Sequence, residues 1–292
     1  MFYQPKSIGE ALDLKAELRE RAVFIAGGTD LVVLMNRGAR VSEHFIDLTH
    51  VPELKAISQR NGSAPSEIVG QAAGLPKKSS PTAGGPPALQ HRTELGGNVT
   101  FAQAGRLPIR CLAQASLSVG GPGIRELGTL AGNLATASPA GDGSTALLAL
   151  DAEVELRSVR GARRLPLEKF FLGYRKTALA TDEMITKISV PANYRSDWAK
   201  VGKRGAVNIS IVAAAVAITP KKEVRIALAS VAPTPMRCYK AERAFTNGAD
   251  APRVADIART EIKPITDHRA SADYKTHLAG VMVRRLLESL TR

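Results

Sequence analysis

The segment AGGTDL, residues 26–31, limits the fold of this chain more than any other stretch. The apolar run Val23–Ile25 before it predicts a buried strand, and the apolar run Leu31–Met35 after it is typical of a helix. A strand, a glycine turn and the start of a helix bring several backbone N–H groups to one point, which is a common arrangement for binding an anion. The segment therefore predicts an α/β unit with an anion at its turn.

The neighbouring sequence extends this unit to the order α, β, turn, α, β. Ser7 and Glu10 have the spacing of a capping box in front of apolar positions at helical intervals. A strand is predicted at Ala22–Ile25, a helix at about Leu31–Arg37 and a second buried strand at His44–Leu48. The chain therefore starts with alternating helices and strands.

Residues 59–93 lose this periodicity and are rich in Gly, Pro and Ser. They predict a long loop with one short strand candidate at Glu67–Gly70. Periodicity returns after the loop, where we expect a helix at Leu107–Val119, a helix at Thr145–Leu150 and a strand at Glu153–Arg157.

A second glycine-rich stretch lies at residues 118–156. Gly121 and Gly123 have the first spacing of the GxGxxG motif, but Glu126 stands at the third glycine position and no apolar strand leads into it. The phosphate-binding pattern GxxxxGKS/T is absent as well. Small residues of this kind mark either a tight backbone turn or a ligand cradle, and the residues alone leave both open.

From residue 166 onward the pattern changes. A helix is predicted at Pro166–Phe171 and a strand at Met184–Val190, and two apolar runs joined at Pro220–Lys222 predict an antiparallel hairpin. Helices follow at Pro235–Phe245, Pro252–Ile262 and Ser271–Leu290. The chain is therefore expected to be an α+β protein of two domains, residues 1–176 and 177–292, the second with an antiparallel sheet and a helical cluster.

The net charge of +13 comes mostly from the second half of the chain. Residues 1–150 carry 14 Lys and Arg against 12 Asp and Glu, whereas residues 151–292 carry 26 against 15. Nucleic-acid binding is not expected, because these charges are neither interleaved with aromatic residues nor set along a recognition helix. The basic half is either a solvated face or a docking surface for an acidic partner or for the phosphates of NAD.

The cysteines and the apolar runs indicate the compartment. Cys111 and Cys238 are far apart, so neither a disulfide framework nor a four-cysteine metal site is expected. No apolar run approaches the ~18 residues of a membrane span, and the first residues lack the basic-then-apolar order of a secretory signal. We therefore expect a cytoplasmic chain with no membrane span and no metal site of its own.

Blocks of sequence spread over most of the chain occur in the order typical of one known family. They are IAGGTDL (25–31), GIRELGTLAGNLATASPAGD (123–142), FFLGYRKTAL (170–179), EMITKISVP (183–191), KVGKRGAVNISIVAAAVAI (200–218), ASVAPTPMRCYKAE (229–242) and ITDHRASADYKTHLAGVMVRRLL (265–287). In these blocks the chain resembles the FAD-binding medium subunit of the molybdenum hydroxylases, the family of xanthine dehydrogenase and aerobic carbon monoxide dehydrogenase. The resemblance implies that residues 1–176 form a two-part α/β FAD-binding domain.

The resemblance also implies that the anion is the pyrophosphate of FAD, held by backbone amides of both glycine stretches, where glycine allows a close approach. The cofactor-binding residues that it carries over to this chain are Ile25, Ala26, Gly27, Gly28, Thr29, Asp30 and Leu31 from the first motif, and Thr129, Gly132, Asn133, Ser138 and Asp142 from the second. Neither stretch contains a His or Cys that could tether a flavin, so the FAD is expected to be non-covalent.

Three further roles follow from the resemblance. Asp142 is expected to hydrogen-bond a hydroxyl of the cofactor, Lys200 to place a cation near the flavin ring, and Trp198 to pack on or beside that ring. Simpler interpretations stand beside these. Thr29 could be only a helix N-cap, Asp30 a favourable charge at the helix start, Trp198 ordinary core and Lys200 part of the basic face.

The sequence departs from the family pattern in two places. Ala131 stands where the family usually has the first glycine of Gly-Gly-Asn, which is tolerable only where this residue keeps a negative φ. The stretch 59–93 is longer than the usual connection of the family. Because no cysteine lies between residues 59 and 98, it does not hold the extra iron–sulfur cluster that the related 4-hydroxybenzoyl-CoA reductases carry in an insertion.

The resemblance implies a subunit of an oxidoreductase with no catalytic residue of its own. Substrate hydroxylation would take place at the molybdenum cofactor of a large partner subunit, and [2Fe–2S] clusters of a small partner subunit would pass on the electrons. The FAD of this chain would deliver them to NAD, oxygen or a quinone, in an assembly expected to be a dimer of heterotrimers. Two alternatives remain, a stand-alone FAD-dependent oxidase and a flavin-free basic scaffold protein.

Overall fold

The computed structural model describes residues 1–60 and 91–292. Its strands are β1 (Phe2–Tyr3), β2 (Ala22–Ile25), β3 (His44–Asp47), β4 (Ile57–Arg60), β5 (Arg92–Gly96), β6 (Glu153–Ser158), β7 (Gly161–Pro166), β8 (Phe171–Gly173), β9 (Lys176–Thr177), β10 (Met184–Pro191), β11 (Arg195–Val201), β12 (Val212–Ile218), β13 (Val224–Ala229) and β14 (Met236–Arg237). Its helices are α1 (Ile8–Leu18), α2 (Leu31–Asn36), α3 (Phe101–Ala104), α4 (Arg110–Leu117), α5 (Pro122–Leu127), α6 (Leu130–Thr136), α7 (Asp142–Ala149), α8 (Tyr239–Thr246), α9 (Ala251–Glu261) and α10 (Ala272–Thr291). These elements confirm the α+β class.

The first 50 residues form the predicted α/β unit around a parallel sheet in the order β1-β3-β2. The Ser7 hydroxyl accepts a hydrogen bond from the N–H of Glu10 at 3.1 Å, and the Glu10 carboxylate accepts one from the N–H of Lys6 at 2.7 Å. The Ser7 bond caps the start of α1 as predicted, but the capping box is incomplete because Glu10 binds the N–H of Lys6 and not that of Ser7. Leu12 of α1 then packs in one buried cluster with Ile46 of β3, so the helix covers one face of the small sheet.

The middle of the chain builds an antiparallel sheet in the order β4-β5-β10-β6-β7. β4 and β5 flank the segment 61–90, and Arg60 pairs with Arg92. The predicted loop 59–93 is therefore too long at both ends. The reason is that β4 is a short, fully exposed strand without the apolar alternation that marks a strand in a sequence. The strand candidate Glu67–Gly70 lies outside the described residues.

Helices between β5 and β6 differ from the prediction. The helix predicted at 107–119 is shorter, because α4 covers only Arg110–Leu117, and the glycine-rich residues 122–136 contain the unpredicted helices α5 and α6. Glycine disfavours helices in isolation, which hides these short helices in the sequence. The helix predicted at Pro166–Phe171 is wrong, since β7 runs to Pro166 and only a single 3₁₀ turn follows.

The predicted hairpin is present as β12 and β13, in a sheet of the order β11-β12-β13-β14. β12 is buried along its whole length. Ala213 and Ala215 belong to the core of the first part of the chain, whereas Val212 and Val216 belong to a second core with α8, α9 and α10. The sheet therefore lies between the first part of the chain and the C-terminal helices. Among the described residues, no helix is long and apolar enough to cross a bilayer.

The place where the two parts join bears on the predicted boundary at residue 176. β10 pairs with both β5 and β6, so it is a central strand of the sheet in the first part. β11 pairs with β12 and belongs to the second part. We propose that the boundary lies in the short segment between Pro191 and Arg195.

Candidate functional site

The two glycine stretches lie against each other. A Cβ atom on Gly27 would stand 1.7 Å from the carbonyl oxygen of Leu127, so the two backbones touch at this point. The hydroxyl of Thr136 also donates a hydrogen bond to the Asp30 carboxylate at 3.2 Å. The turn after β2 and the segment of α5 and α6 therefore form one continuous surface.

This contact gives a physical reason why residue 27 is a glycine. The space in which a Cβ would lie is taken by the backbone of Leu127 and Gly128, and not left for a ligand. Gly28, in contrast, has a left-handed backbone with a φ of 67°, which glycine adopts without strain. The first glycine thus allows two segments to pack, and the second allows the turn.

Gly27→Ala is expected to lower the free energy of unfolding by about 3 kcal/mol, because backbone atoms must move to admit the methyl group. A matched control is Gly9→Ala in α1, where a Cβ would meet only the Ser7 hydroxyl oxygen at 3.8 Å. The control is expected to gain about 0.5–1 kcal/mol from the higher helix propensity of alanine. Urea unfolding measures both, and equal midpoints for the two variants would rule out the contact.

The other residues of the first motif surround this turn. Ile25 ends β2 and is buried, while Ala26 and Leu31 are half-buried. The N-cap residue of α2 is Asp30, whose side chain makes no capping hydrogen bond. The simple N-cap role for Thr29 is therefore wrong, and its hydroxyl lies instead beside the second glycine stretch.

Thr129 and Asn133 hold the second stretch together. The Thr129 hydroxyl accepts a hydrogen bond from the N–H of Gly132 at 3.0 Å and caps α6. The Asn133 side-chain oxygen accepts hydrogen bonds from the N–H and the hydroxyl of Ser144, at 3.1 and 3.0 Å, which joins α6 to α7. Ala131 lies inside α6 and does not have a positive φ, so the departure from the family's glycine causes no backbone strain.

Ser138 shapes the turn that precedes α7. Its hydroxyl accepts a hydrogen bond from the N–H of Ala140 at 3.3 Å, and its carbonyl accepts one from the N–H of Gly141 at 3.0 Å. The next residue in the chain, Pro139, accepts a hydrogen bond through its carbonyl from the N–H of Ser230 at 2.8 Å. The turn thus contacts the C-terminal sheet and directs the start of α7 toward it.

Asp142 and Lys200 form a buried ion pair at the start of α7, although they are 58 positions apart. Lys200 Nζ lies 2.6 Å from Asp142 Oδ2, and the side chains are only 9% and 7% exposed. Hydroxyl groups of Ser210 and Ser118 donate to the same carboxylate at 2.7 and 3.3 Å. Burial raises the pKa of Asp142, and Lys200 and the two serines offset part of that rise. Burying two charges is costly, which makes this pair a candidate for function.

Trp198 stands two residues before Lys200 on β11, so both side chains leave the same face of the strand. Its ring is 8% exposed and belongs to the core of the first part of the chain. Its backbone N–H donates to the Gln114 side-chain oxygen at 3.0 Å. The buried indole Nε1 has no hydrogen-bond partner within residues 1–60 and 91–292. Trp198 is thus a core residue with one unused donor.

The surface around the second stretch suits a large anion with apolar rings. A Cβ on Gly121 or Gly123 would meet nothing within 4 Å, and one on the exposed Gly132 would meet only the Thr129 hydroxyl oxygen, at 3.0 Å. Apolar side chains of α2 and α5 are exposed on the adjoining helices: Val32, Val33, Ile124 and Leu127. Open backbone for phosphate, apolar surface for rings and the Lys200 cation together fit FAD.

Ser118 and Ser210 are functional candidates that the sequence did not reveal. Both donate to Asp142. Ser118 is the C-cap residue of α4, whereas Ser210 lies two residues before β12. A single serine at such a place carries no signal in one sequence. Only the packing of α4 and β12 around α7 brings the two hydroxyls to one carboxylate.

Known protein families match this chain in sequence. A family model described as "FAD binding domain in molybdopterin dehydrogenase" matches residues 1–65 and 88–193, and one described as "CO dehydrogenase flavoprotein C-terminal domain" matches residues 197–290. The carbon monoxide dehydrogenase medium chain of Hydrogenophaga pseudoflava is 31% identical over 99% of this chain and 96% of its own length. The nicotinate dehydrogenase FAD-subunit of Eubacterium barkeri is 32% identical over 74% of this chain and 68% of its own length.

A solved structure agrees with these sequence matches. The carbon monoxide dehydrogenase from Hydrogenophaga pseudoflava that lacks the Mo-pyranopterin moiety of the molybdenum cofactor contains a chain with a TM-score of 0.82 to this one. That chain is 29% identical, and the match covers 99% of this chain and 96% of the other. The likeness thus spans both parts of the fold.

Proposed function

This chain belongs to the family of FAD-binding subunits of the molybdopterin dehydrogenases, and from that membership we propose that it passes electrons through one non-covalent FAD. The electrons come from [2Fe–2S] clusters on a partner subunit and leave to NAD, oxygen or a quinone. The observation that carries this proposal is the buried Lys200–Asp142 pair beside an open, glycine-rich surface. A redox cofactor that gains negative charge on reduction is stabilised by a fixed cation of this kind.

Different residues of this chain would bind different parts of FAD. The backbone of residues 27–29 and 121–133 would hold the pyrophosphate, because the surface at Gly121 and Gly123 is open to the approach of an anion. Asp142 would accept a hydrogen bond from a cofactor hydroxyl, and Lys200 would place its charge beside the ring. Trp198 would support that side of the site with its apolar ring, from the core of the first part. When bound, FAD supplies the one- and two-electron redox chemistry.

The proposed partners follow from the relatives, which are medium chains and FAD subunits of larger dehydrogenases. We place a large molybdenum-cofactor subunit and a small iron–sulfur subunit beside this chain, as a dimer of heterotrimers in the cytoplasm. Among the described residues, no group of His, Cys, Asp and Glu could hold a metal ion. The basic residues 151–292 suit an acidic face of such a partner, since complementary charge speeds association.

We expect the purified chain to bind one FAD and to release all of it when precipitated with acid, because no His or Cys lies in either glycine stretch. The measurement is the flavin absorbance of the supernatant and of the pellet, compared with the protein concentration. Yellow colour that stays in the pellet would contradict non-covalent binding. A chain that takes up no FAD from an excess would contradict the proposed function itself.

A further inference from the structure

α7 joins the two parts of the chain, and it lies on the alanine-rich face of the C-terminal sheet. Ala213, Ala215 and Ala217 of β12 share a core cluster with Leu147 and Ala149 of α7. Small side chains allow a close approach of helix and sheet. They also interlock less than large ones, so apolar packing alone fixes the angle between the two parts only weakly.

Polar contacts fix this angle at both ends of α7. At its start, Asp142 binds Lys200 and Ser210, which belong to the second part. Two residues beyond its end, Asp151 accepts hydrogen bonds from Arg225 Nε at 2.8 Å and from Arg237 Nη1 at 2.7 Å. The two ends are separated by about 12 Å of helix. Both ends of α7 are therefore tied to the second part, in addition to the bonds of Trp198 to Gln114 and of Ser230 to Pro139.

Asp151 also contacts the segment that connects the two parts. The Tyr194 hydroxyl donates to Asp151 Oδ2 at 3.2 Å, and Tyr194 lies between β10 and β11. Burial raises the pKa of Tyr194 to about 12, with Asp151 adding to the rise, so the phenol remains a donor at neutral pH. Asp151 thus links the end of α7 to the connecting segment and to two strands of the C-terminal sheet.

The backbone of Asp151 is strained to make these contacts. Its φ is 48°, in the left-handed region that costs a residue other than glycine about 1 kcal/mol. Asp151 lines a cleft of about 400 Å³ between the two parts, and its side chain is 32% exposed. This cleft shares no lining residue with the proposed flavin site. Asp151 therefore lies outside the residues proposed to contact the cofactor.

We propose that Asp151 is a positioning residue for the flavin site: through α7 it holds the C-terminal sheet at the angle that brings Lys200 and Trp198 to the glycine stretches. This inference rests on the proposed function. Loss of the Asp151 contacts loosens the far end of α7, so that β11 shifts against residues 121–133. The affinity for FAD then falls although no group that contacts FAD has changed.

Asp151→Asn is the informative substitution, because asparagine tolerates the left-handed backbone and Arg225 and Arg237 keep their bonds to Glu223 and Glu242. A matched control is Asp182→Asn. Asp182 is 31% exposed and also accepts two hydrogen bonds from an arginine, Arg160. Its substitution changes the net charge by the same amount as Asp151→Asn.

The full chain reports the change through its single tryptophan, Trp198. We expect wild type and Asp182→Asn to bind FAD equally, and Asp151→Asn to bind it about ten-fold more weakly with a changed quenching of Trp198 emission at saturating FAD. A purely structural role would lower the melting temperature without changing this quenching. Tyr194→Phe removes one donor only, and its effect is expected in the same direction, about three-fold.

The outcomes separate the two claims. If the wild-type chain takes up no FAD, the proposed function fails before Asp151 is tested. If wild type binds FAD but Asp151→Asn and Tyr194→Phe match Asp182→Asn in FAD affinity and in Trp198 quenching, the positioning role is overturned. If Asp151→Asn does not fold, Tyr194→Phe decides by the same two measurements.

Discussion

Gly132→Val is expected to weaken FAD binding by about 100-fold while the chain remains folded. Gly132 is exposed in α6, has no positive φ, and a Cβ there would meet only the Thr129 hydroxyl oxygen at 3.0 Å. The valine methyl groups would therefore extend into the space proposed for the pyrophosphate and keep it from the backbone. Losing a charge-assisted hydrogen bond costs about 1.5–3 kcal/mol, which accounts for a factor of this size.

The control for this variant is Gly173→Val in β8, where a Cβ would meet nothing within 4 Å and valine suits a strand. FAD titration followed by flavin fluorescence, with circular dichroism as the check on folding, compares the two. Equal FAD affinity in both variants would contradict a phosphate-binding site in the second glycine stretch. Because Gly27 is held by the Leu127 backbone, Gly27 variants test packing and Gly132 variants test binding.

Asp142→Ala is expected to lower the free energy of unfolding by about 3–5 kcal/mol, because it leaves the Lys200 ammonium buried without its partner. The double variant Asp142→Ala/Lys200→Met removes both charges and is expected to recover most of that loss. Burial raises the pKa of Asp142, which means that burying its charged form costs free energy. The double variant avoids this cost and therefore need not be less stable than wild type.

Urea unfolding of the two single variants and the double variant gives the coupling between the two side chains. A double variant no more stable than Asp142→Ala would contradict a buried pair. FAD titration of the stable double variant then separates function from folding. On the proposed function its affinity for FAD falls, although its stability is restored.

The sequence predicted those elements whose signals are local. The start of α1 is an example, because Ser7 and Glu10 satisfy the cap within four residues. β2, α2 and the hairpin of β12 and β13 followed from apolar periodicity in the same way. β4 and β11 were missed, since an exposed strand and a strand interrupted by charged residues show no alternation, and only their partners make them strands.

The candidate site was predictable residue by residue but not as an arrangement. The family resemblance pointed to Asp142 and Lys200 separately, and only the fold shows that they form a pair. Gly27 shows the reverse case, because its motif suggested a ligand while its neighbour is the Leu127 backbone. Asp151 had no sequence signal at all, because its partners Arg225, Arg237 and Tyr194 come from three later segments.

The central claim is that this chain is the flavin subunit of a molybdenum hydroxylase, and the composition of the native complex tests it most directly. The complex would be isolated through a tag on this chain, and its FAD, iron and molybdenum would be measured against the amount of the chain. We predict one FAD per chain, with iron and molybdenum co-eluting on a large and a small subunit. A yellow chain that elutes without either metal, as a stand-alone oxidase would, or a colourless chain, as a scaffold would, contradicts the account.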